Sequence, residues 1–407
     1  MCISCPAKLR SFGEYLSSPM FSDYLLPLST AIIQSFDQRI SHKTLLQSTR
    51  FFQGESLDLA EFDLVILGVQ DDRFRKEYEG CAAAPDLVRK DLYALVKPRT
   101  DVRILDLGNI TAGNSVSDTH FALRKTLESL HKSRVLTLII GGTQDMMSMQ
   151  YASFQGLTPN MQLLVVDAKM DMQAYEQAIE NNYLPRIIAH EPEFLFNITQ
   201  AGYQGHYVEA ETYDAFERMN FDMLRLGSLR GNNMQEIEPY CRNAHMMGFS
   251  MQAIRASDAP AQSKPSPNGF SGEEACQICR YAGMSNDMLS AGFYDLNPSF
   301  DQNGVSISLM AQMIWYFIEG YANRRQDYPV AESKDYLIYH TTNKNMNREL
   351  TFYKSVLSNR WWMEVPYPHE RSQHDGKFLV PCSYKDYQTA QNDEIPDRWM
   401  KTYQKLL

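Results

Sequence analysis

Acidic and amide side chains that could bind a cation are concentrated in short segments that follow apolar runs. Carboxylates are the ligands that hard divalent cations prefer, and amide oxygens are weaker ones. Carboxylates of this kind can also act as catalytic acids and bases. The segments are Gln144-Asp145, Asp167-Ala168-Lys169-Met170-Asp171, Gln252-Ala253-Ile254 and Asp295-Leu296-Asn297.

The elements that must position these segments are predicted to be buried parallel strands. Short, nearly continuous apolar runs are typical of such strands. They occur at Leu64–Val69, Val102–Leu107, Val135–Ile140, Leu163–Val166 and Met223–Leu226. Segments of helical length lie between most of them, for example 84–96 and 118–132. This alternation predicts a parallel sheet with helices on both faces, and the polar segments then lie at the carboxyl ends of its strands.

The composition is that of an ordinary globular protein. The chain has 407 residues, 44% hydrophobic and 22% charged, which excludes a disordered or collagen-like chain. A net charge of -10 argues against nucleic acid as the main partner. No apolar run approaches the roughly 20 residues of a membrane-spanning helix, so we expect no membrane insertion. Seven scattered cysteines and the lack of an apolar signal segment favour a cytoplasmic protein.

The sequence pattern divides the chain into three parts. Residues 1–60 are polar and weakly periodic and predict an N-terminal arm of helices and loops. Residues 61–328 carry the strand and helix pattern, and residues 329–407 form an aromatic-rich C-terminal extension that we expect to pack on the main domain. Trp361 and Trp362 could also bind a protein partner, because tryptophan is common at interfaces. The oligomeric state stays open, as does the question of whether the extension is an independent domain.

Five segments, taken in order along the chain, resemble the ureohydrolase superfamily of arginase, agmatinase and formimidoylglutamase. They span roughly residues 60–325 and are Gly80–Arg89, Gly141–Asp145, Asp167–Asp171, Ser250–Ile254 and Asp295–Asp301. The resemblance implies an α/β fold: a three-layer α/β/α sandwich around a mostly parallel, eight-stranded sheet. The N-terminal arm and the C-terminal extension are then additions to this arginase-like domain.

The metal ligands of this superfamily are mostly replaced here. Family members use two Mn²⁺ ions, held by six protein ligands, to turn water into a hydroxide that attacks an amidine or guanidinium carbon. The resemblance assigns different side chains to four ligand positions, namely Gln144, Lys169, Gln252 and Ile254. Asp167 and Asp171 keep their carboxylates, and Asp295 stands where the family has a late Glu. We therefore predict no metal cofactor, with Mn²⁺ as the alternative; any metal would lie on Asp167 and Asp171.

Lys169 lies between two of these carboxylates in the sequence. An ammonium about 4 Å from a divalent ion is repelled by roughly 8 kcal/mol at an effective dielectric constant near 20. Buried carboxylates without a cation are costly, and residues of equal parity share one face of a strand. We therefore predict that the Lys169 ammonium replaces the metal charge between Asp167 and Asp171. Asp145 is predicted to cap the helix that follows it.

Two functions remain open at this point. The main hypothesis is a catalytically inactive ureohydrolase-like protein that acts in binding or as a scaffold, with a relic site and no confident catalytic residue. The alternative is a hydrolase of linear amidines or guanidino compounds with a degenerate metal site. Asp295 and Asn297 are the candidate ligand contacts in either case. The resemblance to a ligand-poor branch also gives a weak expectation of a partner in secretion or gliding machinery, which no residue here supports.

Overall fold

Eight parallel strands, extended by two short ones, form the central sheet of the described residues. The computed structural model describes residues 23–36, 43–74, 76–172, 182–329, 335–343, 348–367 and 377–407. The strands are β1 Leu25–Leu26, β2 Thr49–Phe51, β3 Leu64–Val69, β4 Ile104–Ile110, β5 Leu136–Ile140, β6 Met161–Val166, β7 Leu195–Tyr203, β8 Asp222–Arg225, β9 Met246–Ser250 and β10 Ser290–Tyr294. Their order is β1-β4-β3-β5-β10-β9-β6-β7-β8, with β2 paired to β4 and β1 antiparallel to it.

The strands of the sheet are apolar on both faces because helices cover both faces. All six residues of β3 are buried, and they alternate between two hydrophobic clusters. Leu64 and Ile66 belong to one cluster, and Val65, Leu67 and Val69 belong to the other. This is the side-chain alternation of an extended strand, and it explains the continuous apolar runs in the sequence.

Nine helices of the described α/β part surround this sheet. They are α1 Thr30–Ser35, α2 Ala84–Ala94, α3 Val116–Lys132, α4 Met147–Ala152, α5 Tyr183–Ile188, α6 Ala210–Arg218, α7 Glu238–Asn243, α8 Gly272–Gly283 and α9 Val305–Ala322. Residues of α2, α7, α8 and α9 belong to one cluster, and residues of α3, α4, α5 and α6 to the other. The predicted α/β/α sandwich around a mostly parallel sheet is confirmed. None of the helices in the described ranges is long and apolar enough to cross a membrane.

The predicted N-terminal arm is only partly described. Residues 1–22 and 37–42 lie outside the described residues. The remainder contributes α1 and two short strands, β1 and β2, which extend the sheet beyond β4.

The C-terminal extension builds a second, smaller sheet with its own hydrophobic cluster. Strands β11 Tyr336–Asn343, β12 Arg348–Ser355, β13 Trp361–Pro366 and β14 Lys377–Cys382 pair antiparallel in sequence order, and helices α10 Tyr384–Gln391 and α11 Asp397–Leu406 follow. Phe352, Met363 and Trp399 are central members of the cluster, which contains no residue of the α/β part among those described.

The two tryptophans of β13 lie inside the chain. The exposed fractions of Trp361 and Trp362 are 6% and 2%. The Arg242 guanidinium of α7 lies 4.3 Å from the Trp362 ring centroid, and Arg242 also donates to the Cys382 carbonyl at 3.3 Å. These contacts join the extension to the α/β part. Trp361 and Trp362 are therefore not surface anchors in this structure, and a protein partner stays a prediction.

A buried ion pair joins α2 to the sheet. Arg89, which is fully buried, donates from Nε and Nη2 to the two carboxylate oxygens of Asp106 at 2.8 and 3.0 Å. Arg89 also donates to the Gly108 carbonyl and to Asn109 Oδ1, both at 2.6 Å. Because its nitrogens all have acceptors, this charge is compensated inside the protein.

We predict that Arg89→Met lowers the free energy of unfolding by about 3–5 kcal/mol, because it leaves the Asp106 carboxylate buried without its cation. Urea unfolding of the α/β part, followed by far-UV circular dichroism, measures the change. Lys97→Met is the control, since Lys97 pairs with the largely exposed Asp101 and such pairs contribute less than about 1 kcal/mol. Equal losses in the two variants would contradict the prediction.

Candidate active site

The polar segments singled out in the sequence meet at one edge of the sheet. β5, β10, β9 and β6 are neighbours in the sheet and run parallel. Their carboxyl ends therefore lie side by side, as expected for a parallel sheet. The residues that follow these ends are Gln144 after β5, Asp295 after β10, Gln252 after β9 and Asp167 after β6.

Two unusual backbone conformations shape this edge. Gly141 and Gly142 have φ angles of +85° and +70°, which favour glycine. A Cβ atom on Gly141 would lie 2.6 Å from Cγ of Pro85, so the close approach of α2 also requires glycine. Asp295 has φ +65° without being a glycine, a conformation that non-glycine residues adopt mostly where the surroundings enforce it.

A small cavity of about 230 Å³ lies at the centre of this edge. Its lining combines acidic side chains with aromatic rings: Phe74, Tyr78, Thr143, Gln144, Asp145, Asp171, Tyr183 and Asp295. Gln144, Asp171 and Asp295 were among the predicted site residues. The cavity is therefore negative in charge and walled by flat rings.

Asp295 is held rigidly at the floor of the site. The Ser250 hydroxyl donates to Oδ2 at 2.6 Å, and the backbone N–H of Gln144 donates to Oδ1 at 3.0 Å. Burial nevertheless raises the pKa of Asp295 to about 7, because desolvation outweighs these two hydrogen bonds. Asp295 can therefore exchange a proton near neutral pH.

Asp167 and Tyr183 are buried beside it. Burial raises the pKa of Asp167 well above its ordinary value, and the nearby Asp171 and Asp295 carboxylates raise it further. Burial and the same carboxylates raise the pKa of Tyr183. The Tyr183 hydroxyl is buried in the cavity wall and has no hydrogen-bond partner among the described residues. A buried polar atom of this kind usually serves a ligand or a water molecule.

Lys169 takes a different position from the one predicted. Its ammonium lies 3.5 Å from Gln252 Oε1 and 5.8 Å from the Tyr207 ring centroid. No ion pair in the described ranges joins it to Asp167, and only the Lys169 backbone N–H donates to that carboxylate, at 3.3 Å. The parity argument assumed an extended strand, but β6 ends at Val166. Replacement of the metal charge by Lys169 is therefore not seen at Asp167.

The other predicted residues surround the cavity without lining it. Gln252 donates from Nε2 to the Tyr78 hydroxyl at 2.7 Å and holds that ring in place. Ile254 is fully buried in a hydrophobic cluster. Asn297 donates to the Glu79 carbonyl at 2.8 Å and accepts from the Ser299 N–H at 3.1 Å. Asn297 thus braces the loop before α2 and is not a cavity contact.

His120, Tyr78 and Tyr183 escaped sequence analysis, and Asp145 has a different role from the predicted one. Asp145 does not cap a helix: its carboxylate accepts from the Thr143 hydroxyl and pairs with His120 Nε2 at 2.7 Å. His120 lies on the buried face of α3, near Ala122, Leu123 and Leu127. A polar residue on this apolar face is the sequence feature that could have indicated its role. Tyr78 lies in a short 3-10 turn and Tyr183 in α5. Neither residue follows a strand, so the search at strand ends did not find them.

The side chains described at the strand ends do not form a donor set for two manganese ions. No group of three or more His, Cys, Asp or Glu side chains in the described part of the chain is arranged to hold a metal ion. The four replaced ligand positions contribute two amides, an ammonium and the aliphatic side chain of Ile254, and only the amides offer oxygen.

Comparisons with known proteins agree with this architecture. A family model described as "Arginase family" matches residues 62–319. The formimidoylglutamase of Enterobacter sp. (strain 638) is 20% identical over 69% of this chain and 91% of its own, and that of Geobacillus kaustophilus is 25% identical over 57% and 75%. Trypanosoma cruzi formiminoglutamase with Mn²⁺ superposes with a TM-score of 0.62 at 19% identity, covering 69% of this chain and 99% of its own. Bacillus subtilis formimidoylglutamase also gives 0.62, at 14% identity, covering 71% and 94%.

The comparisons overturn the prediction that no cofactor is involved. Four of the similar solved structures, all of Trypanosoma cruzi formiminoglutamase, contain Mn²⁺. The prediction rested only on the side chains that replace the metal ligands in this chain, whereas these similar structures contain the metal. The prediction that no metal cofactor is used is therefore wrong.

We predict that Asp295 makes the protein less stable as the pH rises. Its pKa is about 7 in the folded state against an ordinary value of 3.8, so the folded state binds the extra proton. The stabilisation is complete below about pH 4 and is lost as the pH rises through about 7. At about 1.4 kcal/mol per pKa unit, the change amounts to a few kcal/mol.

Urea unfolding from pH 4 to pH 8 checks this, with Asp295→Asn expected to remove most of the decline. Asp258→Asn is the control and should leave the decline between pH 4 and pH 8 unchanged. The hydrogen bond from Arg255 lowers the pKa of Asp258 to about 2, so its stabilisation is present above about pH 4 and is lost only as the pH falls further. A decline of unchanged size in Asp295→Asn would rule out this assignment.

Proposed function

The chain belongs to the arginase family, and from this premise we propose that it hydrolyses a C–N bond of a linear amidine or guanidino compound. Two features support the proposal. The curated relatives are named formimidoylglutamase and are matched over most of their length. The acidic cavity also lies at the carboxyl ends of the central strands, where parallel α/β proteins bind their ligands.

The observation that carries the proposal is the combination of carboxylates and rings around one small cavity. Asp171 and Asp295 line it together with the rings of Tyr78 and Tyr183. An amidinium or guanidinium group is flat, cationic and rich in N–H donors. Carboxylates accept such donors in charge-assisted hydrogen bonds, and aromatic faces attract the cation. The cavity therefore has the chemistry to select this substrate class.

The reaction requires a proton acceptor and a proton donor beside the bound carbon. Water oxygen attacks the amidinium carbon as its proton passes to Asp295, whose pKa of about 7 suits this exchange. The leaving nitrogen of the tetrahedral intermediate then takes the proton from Asp295 and departs as ammonia or an amine as the C–N bond breaks. The C=O bond forms at the same time, and the hydroxyl proton passes to solvent water. Asp167, whose pKa is raised by burial, lies nearby.

A second candidate function is binding of the same ligands without turnover. It is favoured by the four replaced positions, Gln144, Lys169, Gln252 and Ile254, which in the family hold the metals that activate water. The curated relatives favour hydrolysis, and the side chains at these positions favour binding alone. Product formation separates the two.

We predict that the purified chain releases product from at least one of N-formimino-L-glutamate, agmatine and arginine. Formamide, ammonia and urea are measured with and without added Mn²⁺. Asp171→Asn should lower the rate by about 100-fold or more, since it removes a charged group of the cavity. Asp101→Asn, on a side chain that is 75% exposed, is the control and should leave the rate unchanged.

Calorimetric binding of the same compounds completes the test. Binding without product in either condition would replace hydrolysis by the binding function. Neither binding nor product would contradict both functions for this substrate class.

A further inference from the structure

A second cavity lies between the α/β part and the C-terminal extension, at the opposite edge of the sheet from the candidate active site. It measures about 400 Å³. Gln162, Asn197 and Asp222 line it from the amino ends of β6, β7 and β8, whereas the active-site cavity is at the carboxyl ends. The opposite wall comes from β14 and α11 of the extension. The family model ends at residue 319, so the wall formed by the extension lies outside the matched region.

Helix α11 directs a row of cations into this cavity. Arg398, Lys401 and Lys405 line it, and their spacing of three and four residues places them on one face of the helix. Lys401 Nζ donates to the Phe221 carbonyl at 3.0 Å, and Lys405 Nζ donates to Asn197 Oδ1 at 2.5 Å. The two lysines are thus held against the amino end of the sheet, whereas Arg398 donates to the Pro381 carbonyl of β14 and lies 3.8 Å from the Tyr240 ring centroid.

The acidic groups around these cations are too few to neutralise them. Asp222 lies 3.6 Å from Lys401, and Asp386 lies 3.6 Å from Arg398, both beyond hydrogen-bond distance. Among the described residues no carboxylate forms an ion pair with Lys405, and its pKa falls to about 8 because burial disfavours the charged form. One positive charge is therefore left without a counter-charge.

One donor in the cavity wall also has no acceptor. Arg398 Nε is buried and has no partner at hydrogen-bond distance in the described part of the chain, because the Asp386 carboxylate that pairs with it lies 3.6 Å away. A guanidinium N–H that is removed from water normally has an acceptor, because leaving it unpaired costs free energy. An anion in the cavity would supply that acceptor and the missing negative charge together.

We propose that this cavity binds a small phosphate-type oxyanion, which links α11 to the amino ends of β7 and β8. Three cationic groups face the cavity, and a phosphate group offers at least three acceptor oxygens and about 1.5–2 negative charges at pH 7. A carboxylate offers two oxygens in one plane and a single charge, and so matches this set less well. The anion is either inorganic phosphate or the phosphate group of a phosphomonoester.

Titration calorimetry of the full-length chain with inorganic phosphate, glycerol 3-phosphate and acetate tests the proposal. We expect phosphate to bind and acetate to bind at least about tenfold more weakly. Lys405→Gln and Lys401→Gln should each weaken phosphate binding by about tenfold or more, as expected for loss of a charged hydrogen-bond donor. Lys385→Gln removes an equal charge from an exposed position on α10 and should change nothing.

The arms of this experiment also identify the source of the anion. Tighter binding of glycerol 3-phosphate than of phosphate indicates a phosphomonoester, and the reverse order indicates free phosphate. The proposal is overturned if neither binds at millimolar concentration, if acetate binds as tightly as phosphate, or if the two cavity variants bind phosphate like Lys385→Gln. Circular dichroism checks folding, and Lys405→Arg, which keeps the charge, replaces Lys405→Gln if that variant does not fold.

Discussion

The burial of several carboxylates at one edge of a parallel sheet is the constraint on which the candidate active site depends. Asp167 and Asp295 are almost fully removed from water, and each raises the proton affinity of its neighbours. The similar Trypanosoma cruzi formiminoglutamase structure contains Mn²⁺. Here the strand ends hold neutral amides and an ammonium that turns toward Gln252. The site of this chain therefore combines buried carboxylates with amide groups and one ammonium.

The fold could be predicted from the sequence wherever burial leaves a simple trace. β3 was predicted with its observed bounds, because a strand covered on both faces is apolar throughout. β7 was missed because Asn197, Thr199 and Gln200 interrupt its apolar pattern. These buried polar side chains form hydrogen bonds inside the protein. Gln200, for example, donates to the carbonyls of Asp167 and Lys169 and so supports the chain beyond β6.

The site was predictable in its location but not in its composition. Parallel strands bring their carboxyl ends together, which is why Gln144, Asp171 and Asp295 were found in advance. Lys169 lies beyond the end of β6, in a segment without regular structure, so side-chain periodicity cannot predict where its ammonium points. His120 belongs to α3 and Tyr183 to α5. Their positions at the site depend on how these helices pack against the sheet, which local sequence patterns do not encode.

The separate hydrophobic cluster of the C-terminal extension has a consequence for how this protein responds to heat. Phe352, Met363 and Trp399 are packed with one another and not with the two clusters of the α/β sheet. A chain with separate hydrophobic cores can unfold in more than one cooperative transition. Hydrogen bonds of Arg242, Lys401 and Lys405 join the two parts, and an anion bound beside the two lysines, as proposed above, would strengthen this coupling in proportion to its concentration. The number of calorimetric transitions is thus a property of the solution as well as of the fold.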